Sequence, residues 1–196
     1  DMPYYGRYGV VDKHYWRVSK NGIHPTKIIS RPTDRFDKWK TNIKEWRKDG
    51  EEILVCPSSN TMSYWCISQH EKVWTEQTIT ELSKHTNRPI RVRTKPRTKN
   101  TSGPLVEKEL GVPSIVEDIQ NCFAVITSVS LVAVEAITNG VPVFCDPLSF
   151  ASPISSTDIS SINNPTYSDQ RLKWLSHLAY CQFTEREMSN GIAYET

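Results

Sequence analysis

No apolar run in this chain approaches the roughly 18 residues that a membrane-spanning helix requires. That absence leaves no candidate for a helical membrane span. The N-terminus shows no charged region followed by an apolar stretch and a small-residue cleavage site, so no signal peptide is expected and a cytoplasmic location is. The five cysteines (Cys56, Cys66, Cys122, Cys145 and Cys181) are odd in number and include no C-x-x-C pair. A zinc site or a thiol nucleophile would need local spacing that is missing. Three of them (Cys56, Cys122 and Cys145) lie in or beside apolar runs, so they read as buried free thiols of a reducing compartment. His14, His24, His70, His85 and His177 show no metal-ligand spacing either. There is no G-x-G-x-x-G, no P-loop and no G-x-S-x-G, which argues against a typical dinucleotide enzyme, a P-loop NTPase and an α/β-hydrolase. Internal repeats and coiled-coil heptads are absent too.

Acidic residues are missing from one long stretch. Between Leu82 and Val106 there is none, while Lys84, Arg88, Arg91, Arg93, Lys95, Arg97 and Lys99 are basic. The net charge of +2 hides this segregation. The stretch reads either as a solvated face or as an anion site for phosphate, nucleotide or nucleic-acid backbone.

What is present suits one domain: 196 residues, 37% of them apolar. Residues 1–50 read as a small N-terminal β appendage rich in tyrosine and tryptophan. His14 to Ser19 alternates and Asn21-Gly22 follows, which predicts a hairpin turn. Trp39, Ile43 and Trp46 recur at near-helical spacing until Asp49-Gly50 interrupts them. From residue 51 the rhythm becomes α/β. Strands are expected near residues 53–56, 89–93, 123–127 and 141–145, the first from a continuous apolar run. Helices are expected at 67–85, 105–110 behind Pro104, 130–138, 168–180 and 184–191. Asn139-Gly140 stops the third, and Thr184 and Glu187 open the last as a capping box. The Ser-rich stretch 149–164 is a loop. Alternation of strands and helices predicts a doubly wound parallel sheet.

In such sheets ligands bind beyond the carboxyl ends of the strands. Three loops lie there. At Thr127-Ser128-Val129-Ser130 a strand runs straight into a helix, so hydroxyls and backbone N–H groups converge at a helix start, which favours an anion. Glu135 follows about a turn and a half on and leans back toward the same crevice. Together they make a nucleotide grip; the alternative is that Ser128 or Ser130 only caps the helix while Glu135 faces water. The loop Arg93 to Arg97 adds Lys95 and Arg97, and the loop after the first strand adds Ser58, Ser59 and Asn60. The pair Glu117-Asp118 reads as surface.

The segment Val125-Ile126-Thr127-Ser128-Val129-Ser130-Leu131-Val132-Ala133-Val134-Glu135-Ala136-Ile137-Thr138-Asn139-Gly140-Val141-Pro142-Val143-Phe144 resembles the donor-site segment of GT-B glycosyltransferases. Arg93-Thr94-Lys95-Pro96-Arg97 resembles the cationic turn of the capsule-polysaccharide members, with Arg97 where their histidine falls. The resemblance covers residues 51–146. The chain as a whole also resembles small proteins of tailed bacteriophages. The family resemblance implies a single Rossmann-like GT-B half with its core strands in the order 3-2-1-4. It implies a nucleotide-sugar donor, with Glu135 on the ribose and Ser128, Ser130, Lys95 and Arg97 on the departing diphosphate; Ser58, Ser59 and Thr127 complete the phosphate-binding set. No metal or other cofactor is expected. The acceptor is a glycan or a nucleic acid, and no residue stands out as catalytic base. Only about fifty residues precede the first core strand, so the acceptor site comes from the aromatic appendage, from a partner chain or homo-oligomer, or does not exist. In that last case the fold is a degenerate one that binds nucleic acid or serves as a structural phage protein.

Overall fold

The structure, a computed structural model, describes Tyr4 and residues 15–20, 22–94 and 114–195. Lys95, Arg97 and the helix expected at 105–110 lie outside these residues. In chain order the elements are β1 (Tyr15–Arg17), α1 (Asp34–Asp37), β2 (Glu52–Val55), α2 (Asn60–Ile67), α3 (Glu71–Leu82), β3 (Ile90–Val92), α4 (Ile115–Asp118) and β4 (Cys122–Thr127). Then follow α5 (Val132–Thr138), β5 (Val143–Cys145), α6 (Arg171–Ala179), β6 (Gln182–Thr184), α7 (Glu185–Ser189) and α8 (Ile192–Glu195). Tight 3-10 turns at Ser152–Ile154 and Ile159–Ser161 fill the Ser-rich stretch between β5 and α6.

A four-stranded parallel sheet, β3-β2-β4-β5, carries the fold. The parallel connections expected from the alternation of elements therefore hold. Both faces are covered. Leu54, Cys56, Val125 and Val143 pack with Ala133, Val134 and Ile137 of α5 and Trp174, Leu175 and Leu178 of α6. On the other face Ile53, Val55, Ala124, Ile126 and Phe144 meet Leu82 of α3 and Ile162. A strand enclosed this way needs side chains that suit both sides, which is why β2 and β4 read as unbroken apolar runs.

The strand order differs from the one implied by the GT-B resemblance. Numbering the core strands along the chain, the order is 2-1-3-4, not 3-2-1-4. The reason lies in the side chains. All six residues of β4 are buried, so it sits inside, between β2 and β5. Strand β3 carries Arg91 and ends beside Arg93; at the sheet edge both cations reach acids of neighbouring elements. Arg91 donates to Glu52 (2.6 Å) and to Asp118 (2.8 Å), and Arg93 also pairs with Asp118. Asp118 is therefore not a simple surface residue: its side chain is 13% exposed and accepts from two arginines.

Three further expectations change. The helix expected at 67–85 is two helices, because Ser68 adopts a left-handed conformation (φ 52°) that closes α2. The His70 side chain then accepts from the Lys72 N–H and restarts the chain as α3. The near-helical pattern after residue 36 yields only the single turn of α1; Phe36 and Trp39 enter the main core, and Trp46 packs against it. No hairpin forms at Asn21-Gly22. Strand β1 pairs antiparallel with β6, Trp16 opposite Phe183. The capping box at Thr184 and Glu187 forms as expected. Among the described residues no helix is long and apolar enough to cross a membrane.

Candidate functional site

The sheet order reverses between β2 and β4. From β2 the chain proceeds to the edge strand β3, whereas from β4 it proceeds to β5 on the other side. Loops leaving the carboxyl ends of two such neighbours diverge and open a crevice between them. Two of the three loops singled out in the sequence meet here, residues 56–59 and 128–131.

Hydroxyls bind these loops to each other. Thr127 Oγ1 donates to the Cys56 carbonyl (2.7 Å), and Ser128 Oγ donates to Ser58 Oγ (2.8 Å). Ser58 Oγ also accepts from the Val129 N–H (3.0 Å). Thr127 and Ser128 are fully buried and Ser58 nearly so. Their hydroxyls join backbone segments 70 residues apart and keep the crevice in shape. Ser59 and Ser130 are more accessible. Ser59 is exposed and accepts from the Met62 N–H (3.5 Å) as the cap of α2. Ser130 is half-buried and accepts from the Val132 N–H (3.4 Å) at the start of α5. Glu135 is half-buried in the first turn of α5. The remaining two expected residues, Lys95 and Arg97, lie outside the described chain.

The described cations of the basic stretch are already partnered. Lys84 pairs with Glu81 (2.6 Å), Arg91 and Arg93 with the acids named above, and Arg88 lies over the Phe123 ring (3.8 Å). The hydrogen bond from Arg91 holds Glu52 below the usual carboxylate range. This part of the stretch is an ion-paired edge and not an open anion site. All five cysteines are free, and burial raises each thiol: Cys56, Cys122 and Cys145 to about 12, Cys181 to about 11, and Cys66 upward as well. At neutral pH they are protonated, which removes them as nucleophiles.

Sequence reasoning missed four residues near the crevice. Asp146 follows β5, and its N–H donates to the Ser128 carbonyl (3.1 Å). The strand-end rule extends to this fourth loop and would have found it. Tyr4, Arg17 and His24 come from the N-terminal segment. Tyr4 is buried on Phe150 (4.8 Å between ring centroids), with its N–H bonded to Gln182 Oε1 (2.9 Å). Arg17 lies over the Tyr4 ring (4.9 Å) and donates to His24 Nδ1 (3.2 Å). No local spacing links these residues to the sheet, so no sequence signal pointed to them.

An open depression of about 550 Å³ lies at the opposite, amino-terminal end of the sheet, lined by Gly50, Arg88, Pro89 and Asn163 among others. Its polar groups largely serve the protein: Arg88 donates to the Gly50 carbonyl (3.4 Å) and Asn163 to the His85 carbonyl (2.8 Å). The strand-end crevice is the better candidate, since ligands of open parallel sheets collect there. Among the described residues no group of three or more His, Cys, Asp or Glu could hold a metal ion. Comparison with known proteins gives no match to a family model, to a curated protein or to a solved structure.

Proposed function

We propose that this chain is a doubly wound, Rossmann-like domain that binds a nucleotide sugar at the β2–β4 crevice and transfers the sugar to a glycan or nucleic-acid acceptor. The observation that carries the reading is the reversal of strand order where the Ser58–Ser59 and Ser128–Ser130 loops meet. Both common doubly wound orders place their ligands at such a reversal. In this reading Ser58, Thr127 and Ser128 shape the cradle, Ser59 and Ser130 face the phosphates, and Glu135 holds the ribose. The resemblance of residues 125–144 to a GT-B donor segment supplies the sugar. Tyr64 and Trp65, 70% and 72% exposed on α2 beyond its Ser59 cap, offer aromatic faces for the acceptor.

A thermal-shift screen against nucleotide sugars and nucleoside diphosphates tests this. A ligand at one hundred times its Kd stabilises the fold by about 2.7 kcal/mol, a readily measured rise in Tm. Glu135→Ala should then weaken binding of the responding nucleotide roughly tenfold or more, with a stability change under about 0.5 kcal/mol. No response to any uridine, cytidine, guanosine or adenosine compound would replace this reading with a nucleic-acid-binding or structural role.

A further inference from the structure

We propose that Arg17, held by Tyr4 and His24, is the cation that meets the diphosphate at this crevice; the inference rests on the nucleotide reading above. The geometry begins with the N-terminal segment. Antiparallel pairing of β1 with β6 fixes Arg17 in register with Gln182, the residue whose side chain also ties down Tyr4. The guanidinium is half-buried, with the Tyr4 ring on one side and His24 Nδ1 on another. Such double support costs a ligand little ordering entropy.

Arg17 stands toward the carboxyl end of the sheet. Tyr4 and His24 both rest on Phe150, in the segment that leaves β5. Asp146, the first residue after β5, bonds the Ser128 carbonyl of the crevice. Cys66 of α2 is flanked by both charges: its thiol is raised by burial, pulled down by Arg17 and pushed up by Asp146. A cation in this position faces a substrate phosphate across a partly dehydrated gap, where its attraction is stronger than in bulk water.

A second observation points to a missing oxygen-rich partner. Arg17 can only donate, so His24 Nδ1 must accept, and the neutral ring carries its proton on Nε2. That Nε2 has no hydrogen-bond partner, nor has the Tyr4 hydroxyl, although His24 is 8% and Tyr4 3% exposed. Buried donors are rarely left unsatisfied, and those that are need an explanation. A phosphate on Arg17, with the water it orders, supplies acceptors for both.

Calorimetric titration with the four common nucleoside 5′-diphosphates, and with their nucleosides, tests the assignment. Arg17→Gln keeps a donor for His24 and removes the charge. The responding diphosphate should bind this variant at least tenfold more weakly than wild type, with nucleoside affinity unchanged. Arg17→Lys, a charge without the planar fork, should lose less. If the Gln variant fails to fold, the Lys variant decides, and diphosphate affinity should fall while nucleoside affinity holds. Equal diphosphate affinity in wild type and variants overturns the assignment, and so does a parallel loss of nucleoside affinity. A wild-type chain that binds nucleosides and diphosphates equally well overturns it too, with the nucleotide reading intact. Failure of the wild type to bind any of the eight compounds overturns the nucleotide reading itself.

Discussion

Ser58 is nearly buried, yet its hydroxyl serves two donors from the neighbouring loop, Ser128 Oγ and the Val129 N–H. Removing it leaves both without an acceptor in a site closed to water. A Ser58→Ala variant should therefore lose about 1–3 kcal/mol of stability in urea denaturation. Ser128→Ala removes only one donor and should cost less. Because the two share a bond, the double variant should cost less than the sum of the singles. Additive costs would mean that the hydroxyls act independently and that the loops are held by something else.

At the scale of elements, the edge of the sheet is closed by charge. Strand β3 has no neighbour beyond it among the described residues, and its inward-facing side toward α4 bears arginine where β2 and β4 bear aliphatic side chains. Asp118, at the end of α4, bonds Arg91 and Arg93 together and so fastens β3 to the helix that leads into β4. Asp118→Ala leaves two part-buried cations short of an acceptor. Its expected cost is about 1.5–3 kcal/mol by equilibrium unfolding, below that of a fully buried pair because Arg91 is 39% exposed in its side chain. Asp118→Asn should cost less, since the amide oxygen still accepts. Equal stability in all three proteins would show that β3 is held by its backbone ladder to β2 alone.

For the whole molecule, buried histidines tie stability to pH. Burial and the nearby Arg17 push the His24 pKa down to about 3, and burial with Arg31 lowers that of His177. The unfolded chain takes up these protons near pH 6.5, but the folded chain does not. Stability is therefore complete above about pH 6.5 and declines as pH falls toward 3, by up to about 1.4 kcal/mol per pH unit for each histidine. His24→Phe should flatten part of this decline in denaturant titrations at pH 5 and pH 8. An unchanged slope would mean that His24 is protonated without resistance, so that its ring does not remain a neutral acceptor for Arg17.

The sequence alone determined the strands, their parallel connections and the residues enclosed on both faces, because unbroken apolar runs such as 53–55 and 122–126 have no other stable use. It also located the serine-bearing loops, since strand ends and helix starts are local patterns. Tertiary structure decided which strand lies beside which. The arginines of β3 exclude it from the interior, and that fact emerges only when Glu52 and Asp118 are brought to meet them. The same holds for β1. Its alternation is visible in the chain, but its partner, β6, lies more than 160 residues away. Arg17 reaches the crevice through that pairing. A local pattern encodes burial and period; it carries no record of which distant surface will complete it.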